Sequence, residues 1–346
     1  MQPLSPNHRH LYMLQCHKRF LTLLLLILMG NNALPQDPRT ENSRIAINNY
    51  RETLIKIVKN NSAFSQSLNW KEIDDQLSKR ADTMTAIASA NLLTNYLLSK
   101  LKEAGDKHSF LMSKPMAQRY SEGTFVTTMP SAKLLNDNIA LINLPALSTS
   151  NSQLQKKYAT SVQEQIKKLD VENNIVGWIV DLRGNSGGAM YPMIAGLGPL
   201  LGSGKLGFYV TYKNGKEAVY TPWYYHNGAS GLGKSTFIKV DQPYKLRQKP
   251  KVALLIGSLT SSAGEMIAIS FSGAKNSRLI GQPSGGYVTG NHSFELPDGS
   301  KLYLAMSFSA NRNKYVFKDK LIPDDVVESG KDNTEIATAV KWILQK

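Results

Sequence analysis

Two short apolar runs, each ending in a turn of small residues, constrain the fold of this chain most. One is Val252-Ala-Leu-Leu-Ile256, which breaks into Gly257-Ser-Leu-Thr-Ser-Ser-Ala-Gly-Glu265 and continues into the helical-looking segment Met266-Ile-Ala-Ile-Ser270. The other runs through Val180, breaks into Asp181-Leu-Arg-Gly-Asn-Ser-Gly-Gly188, and is followed by the apolar, helix-like segment Met190 to Leu201. Strands that alternate with helices in this way predict an α/β fold of packed layers. A further strand is expected over Ile139-Ala-Leu-Ile-Asn-Leu144 and a helix over Gln153 to Leu169. Strand-rich runs follow at Leu206 to Tyr212 and Glu217 to Tyr225, and a closing helix at Thr334 to Leu344. Upstream, apolar residues at Ile45, Ile47, Tyr50, Leu54, Ile57 and Val58 predict an amphipathic helix over 42–60, with more helix over 70–105.

Each turn has chemical potential. A strand that turns through small residues into a helix places a side chain at the helix N-terminus, where unpaired N–H groups and the positive dipole end collect. Ser262 is such a residue, beside ready-made donors for an oxyanion. Ser262 and Glu265 also fit an ordinary capping box, S-x-x-E, which is the commoner meaning of such a segment, and this segment alone leaves the nucleophile reading open. Gly187 and Gly188 let the backbone approach a ligand closely. That turn has neither the lysine of a phosphate loop nor the glycine spacing of a dinucleotide fingerprint.

A lone histidine is more often structural than catalytic, but elimination narrows the candidates for chemistry. Of six histidines, His8, His10 and His17 precede an apolar N-terminal run. His226 sits in the aromatic, loop-like stretch Trp223-Tyr-Tyr-His226, and His292 precedes an alternating strand pattern. His108, in Ala104-Gly-Asp-Lys-His-Ser-Phe110, follows a Gly-Asp break after a long helical segment, where a loop presents it.

Together these segments resemble the C-terminal processing, or tail-specific, serine peptidase family over about residues 85–345. Asp181-Leu-Arg-Gly-Asn-Ser-Gly-Gly188 is similar to the family's glycine motif, and Ser262-Ala-Gly-Glu265 to its S-A-x-E nucleophile motif. Leu296-Pro-Asp-Gly-Ser300 and Ile322-Pro-Asp-Asp-Val326 resemble its ending. The bacterial tail-specific branch uses a Ser–Lys dyad, and Gly281-Gln-Pro-Ser-Gly-Gly-Tyr-Val288 carries Tyr287 where that lysine falls. A tyrosine with a pKa near 10 is a poor base at neutral pH. Asp106-Lys-His-Ser109 instead resembles the histidine branch, represented by the tricorn core and the nisin resistance protein. The interval from Ser113 to Asn173 is too short for a PDZ domain as well as the core strands flanking it.

The resemblance implies a ClpP/crotonase-like layered core, 113–346, after a small helical N-terminal domain, 37–112. It implies hydrolysis of a peptide or polypeptide through an acyl-enzyme, with Ser262 as nucleophile and His108 as base. Ala263 N–H and an amide of Gly187 or Gly188 would hold the oxyanion, and Glu265 would cap the helix or order the turn. No cofactor or metal is implied, and no acid is evident to orient His108. Two rivals stand beside this reading: a Ser–Lys peptidase using Lys275 or Lys301, and a non-catalytic binding module on the same fold.

The N-terminus reads as an export signal or an N-terminal anchor, 1–36. Lys18-Arg19 precede an apolar run from Phe20 to Met29, too short to span a bilayer comfortably, and Gly30-Asn-Asn-Ala-Leu-Pro35 follows. Cleavage is expected between about Gly30 and Gln36, and Met13 is an alternative start. The location implied is periplasmic, extracellular or membrane-anchored facing outward. Cys16 is the only cysteine and precedes the apolar run, so the cleaved chain has no thiol for disulfides, papain-type catalysis or thiolate metal sites. The formal charge of +15 includes Arg9, Lys18 and Arg19, leaving +12 after cleavage. Scattered lysines read as a solvated face, with attraction to an anionic envelope surface or an acidic polypeptide left open. Nucleic acid is not expected, and the oligomeric state is not legible.

Overall fold

The computed structural model describes residues 38–213, 215–328 and 334–345 of the 346-residue chain. The export segment, Cys16, His8, His10 and His17 lie outside the described residues. Three helices come first: α1, Pro38–Asn61; α2, Trp70–Asp82; and α3, Asn91–Glu103. α1 buries Ile47, Tyr50, Leu54 and Val58 at helical spacing, while Ile45, expected on that face, is exposed. The helical stretch expected over 70–105 is divided between α2 and α3. There Thr83 turns its hydroxyl back onto Arg80 O, the side-chain-to-backbone competition that makes threonine a poor interior helix residue. Tyr50 Oη and Thr94 Oγ1, 2.7 Å apart, join α1 to α3 in the buried interior.

After β1, Phe110–Met112, and α4, Lys114–Glu122, the chain builds two sheets. The smaller contains β2, Ser131–Leu134; β3, Ile139–Asn143; β4, Gly177–Asp181; β9, Lys251–Ile256; β10, Ser277–Gly281; and β14, Asp325–Val326. Its order is β14-β10-β9-β4-β3-β2, parallel except for β2 at the edge. Its central strands β3, β4 and β9 are near-continuous apolar runs because both faces are covered. One face (Ala140, Ile142, Trp178, Val180, Val252, Leu254) packs on α5, Ser152–Glu172; α6, Met190–Leu201; and α7, Ala263–Phe271. The other (Ile139, Leu141, Ile179, Ala253, Leu255) packs on α8, Thr334–Leu344, through Ala339 and Ile343. The interval 113–173 is filled by α4, β2, β3 and α5.

The larger sheet adds β5, Gly204–Lys213; β6, Glu217–His226; β7, Ala229–Leu232; β8, Ser235–Lys239; β11, Thr289–Glu295; β12, Lys301–Asn311; and β13, Val316–Phe317. Its β12 puts Leu302 and Leu304, with Leu296, against the three N-terminal helices. His226 ends β6 rather than lying in a loop, and His292 lies inside β11 rather than before it.

β12 is paired unevenly. Phe110–Met112 pair with Lys301–Tyr303, and β5 begins only opposite Phe308. In the gap, Ser109 Oγ accepts the Ala305 N–H at 2.8 Å and Ala305 O accepts the Ala63 N–H at 2.9 Å. The segment carrying His108 therefore supplies partners that the sheet lacks.

Candidate active site

β4 and β9 are parallel neighbours, with Asp181 beside Leu255. Their carboxyl ends, and the two small-residue turns that follow, thus emerge side by side, where ligands bind in open parallel sheets. Ser261 N–H donates to Asn185 O at 3.0 Å, stitching one turn to the other. A Cβ on Gly187 would lie 2.9 Å from Ser262 Cβ, and one on Gly188 would lie 2.1 Å from Leu147 O. Both glycines have positive φ, 116° and 105°, so only glycine satisfies the turn.

Ser262 is the N-cap residue of α7, with φ 50° and ψ −115°, a strained conformation for a residue with a Cβ. Glu265 holds it there. The buried carboxylate accepts Ser262 N–H at 2.9 Å and Tyr287 N–H at 2.8 Å on Oε2, and Ser284 Oγ–H at 2.5 Å and Gly286 N–H at 2.8 Å on Oε1. Burial pushes the Glu265 pKa up, and these donors oppose the rise. The carboxylate ties the Ser262 turn to the 284–287 loop, with no free lone pair aimed at a substrate.

His108 Nε2 lies 3.0 Å from Ser262 Oγ. The capping and nucleophile readings of Ser262 are therefore compatible in one geometry. Asp106 binds the backbone of the histidine segment: Oδ1 accepts the N–H groups of His108 and Ser109, each at 2.9 Å, and Oδ2 accepts Ser109 Oγ–H at 2.5 Å. Asn291 Nδ2 donates to His108 O at 2.8 Å. The other ring nitrogen, Nδ1, faces Thr289 Oγ1 at 2.9 Å and Thr289 O at 3.1 Å. Burial pushes the His108 pKa down to about 4, against the opposing pull of Asp106 and the Thr289 carbonyl. Thr289 was missed in the sequence because it carries no charge and begins an unremarkable strand.

The two glycine amides are not equivalent. Buried Asn185 donates to Leu144 O at 2.9 Å and accepts Gly187 N–H at 3.0 Å, so the Gly187 amide is occupied. Gly188 N–H and Ala263 N–H make no hydrogen bond among the described residues.

The lysine rivals lie away from this centre. Lys275 follows the C-terminal end of α7, whose nine residues span about 13 Å from the Ser262 end. Lys301 pairs with Glu295, at the end of β11 opposite Thr289, about 20 Å along the strand. Tyr287 stands edge-on to the His108 ring at 5.5 Å between centroids. Arg183 of the glycine motif is engaged by Asp181 and Glu335. Among the described residues no cluster of His, Cys, Asp and Glu fits a metal ion.

Comparisons with known proteins agree with the class of site this geometry describes. Residues 138–327 match the model of peptidase family S41. The chain is 31% identical over 280 residues to the nisin-resistance protein of Lactococcus lactis subsp. lactis, covering 81% of each chain. It is 28% identical over 176 residues to the carboxy-terminal processing protease CtpA of Bacillus subtilis, an overlap of 51% of this chain and 32% of that protein. A lipoprotein from Streptococcus agalactiae has a similar fold, with a TM-score of 0.68 at 24% identity over 90% of this chain and 99% of that one. The chain belongs to peptidase family S41. It is a serine peptidase of the C-terminal processing type, and its substrate is a peptide or protein.

Proposed function

We propose that this protein is an exported endopeptidase working through a Ser262–His108 dyad. The observation that carries this reading is the 3.0 Å contact between His108 Nε2 and Ser262 Oγ. Ser262 Oγ attacks the scissile carbonyl as Nε2 takes its proton. The resulting imidazolium returns that proton to the leaving amine, and water releases the acyl group by the same route. Ala263 N–H and Gly188 N–H bind the oxyanion, a pairing supported by the absence of other partners for both among the described residues and by the occupied amide of Gly187. The 37–112 unit acts in catalysis because it delivers His108.

A fluorophosphonate probe tests this reading directly. It should label the intact protein on the peptide containing Ser262. The labelling rate should hold nearly constant as pH falls from 8 to about 5, then drop through about pH 4, because only neutral His108 is a base and burial lowers its pKa. The same shift costs folding stability as the pH falls from 6.5 toward 4, since the unfolded histidine takes up a proton that the native site resists. Absence of labelling, or an acid limb at or above pH 6.5, would contradict the proposal.

Export rests on Lys18-Arg19, the apolar run after it and the absence of cysteine beyond Cys16. No helix among the described residues is long and apolar enough to cross a membrane. N-terminal sequencing of the fractionated protein should find a start between about Asn31 and Asp37. Recovery of full-length protein in the cytosol would refute export.

A further inference from the structure

We propose that Thr289 is the positioning residue for His108, and that its hydroxyl and carbonyl oxygens do the work commonly assigned to a carboxylate. The inference rests on the dyad reading and extends it to the far side of the imidazole.

The argument begins with what each oxygen accepts or donates. A carbonyl oxygen only accepts, so Thr289 O at 3.1 Å favours a proton on Nδ1 and repels an Nδ1 lone pair. With the proton there, Nε2 is the acceptor and faces the Ser262 hydroxyl at 3.0 Å, the productive tautomer. Thr289 Oγ1 at 2.9 Å accepts from the same N–H and shares it with the carbonyl. When Ser262 passes its proton to Nε2, both oxygens remain on the Nδ1–H of the imidazolium and stabilise its charge through dipoles alone. The main chain makes this placement stiff. Asp106 holds the His108 N–H, Asn291 holds His108 O, and Thr289 and Asn291 belong to the same strand.

The charged and titratable groups around the ring do not substitute for Thr289. Asp106 is spent on two backbone N–H groups and the Ser109 hydroxyl. Tyr287 presents its ring, Glu265 is saturated by its own donors, and neighbouring Lys107 pairs with Asp319 at 3.0 Å on the surface. No carboxylate hydrogen-bonds the His108 ring among the described residues. A neutral orienter predicts a histidine that stays unprotonated in mild acid, because no anion bonds the ring and burial outweighs the longer-range pull of Asp106.

Three variants of the full chain test this. Thr289→Val keeps the carbonyl and the shape but removes the hydroxyl. It should lower kcat about tenfold, the size of effect expected for one lost neutral hydrogen bond, with KM little changed, and move the acid limb to lower pH. Thr289→Ser should restore both, which a purely packing role would not do. Thr289→Asp should move the acid limb upward, because an anion at Nδ1 stabilises imidazolium. Nitrogen NMR of the wild type at neutral pH should show the proton on Nδ1. A Thr289→Val enzyme with wild-type kcat and pH profile, or a wild-type histidine protonated on Nε2, would overturn the inference. Labelling of Ser262 in the wild type separates that failure from failure of the dyad itself: a labelled protein whose Thr289 variants behave normally retains the dyad and loses only this assignment.

Discussion

Replacing Ser262 with alanine is expected to abolish peptide turnover, lowering kcat by roughly four to six orders of magnitude, because the covalent route needs its oxygen and only binding and oxyanion contacts remain. The fold should survive. Glu265 keeps its bond to the backbone N–H of residue 262, which the substitution retains, and its other three donors come from Ser284, Gly286 and Tyr287. The stability loss should be about 1 kcal/mol, the usual effect of removing a helix-capping hydroxyl. The pair of measurements is specific activity with a saturated peptide and a denaturant midpoint. A variant that is clearly less stable but retains normal specific activity would leave Ser262 with the capping role alone.

His108→Ala should be nearly as severe, and Ser262→Ala/His108→Ala no worse than either single change, because a nucleophile and its base act as one unit. Lys275→Ala and Lys301→Ala should turn over peptide at close to the wild-type rate, as one lysine follows the far end of α7 and the other begins β12, opposite the far end of β11. The comparison is decisive in both directions. An active His108→Ala protein beside a dead lysine variant would return the chain to a Ser–Lys scheme. Loss of activity in His108→Ala should also leave the sheet contacts of the loop in place, since Asp106 and Ser109 bind through groups the substitution does not touch.

Much of this organisation is legible residue by residue. The apolar runs at Val252–Ile256 and through Val180 announce central strands, and the small residues after them announce turns. The spacing of Ile47, Tyr50, Leu54 and Val58 marks the face of α1 that is buried. Ile45 was placed on that face because periodicity tolerates a neighbouring position, and its exposure follows from where the partner helices lie. The break before α3 was invisible because threonine weakens a helix without forbidding it.

The site divides in the same way. Ser262, Glu265 and the two glycines stand out because each local pattern implies a turn into a helix, and His108 stands out because few histidines remain. Their meeting was not local information. Hydrophobic periodicity and turn chemistry act over a few residues, so the sequence by itself determined the layers, the turns and the candidate groups. Which strands lie side by side depends on burying both faces of the smaller sheet, and that long-range packing set β4 beside β9 and brought the glycine turn to Ser262. The same packing left a gap along β12 that the His108 loop fills, and it put Thr289 on the free ring nitrogen. Asn185 takes the Gly187 amide and leaves that of Gly188 open. Hydrogen bonds reach only about 3 Å and depend on angle, so the choice between adjacent amides belongs to the folded backbone alone.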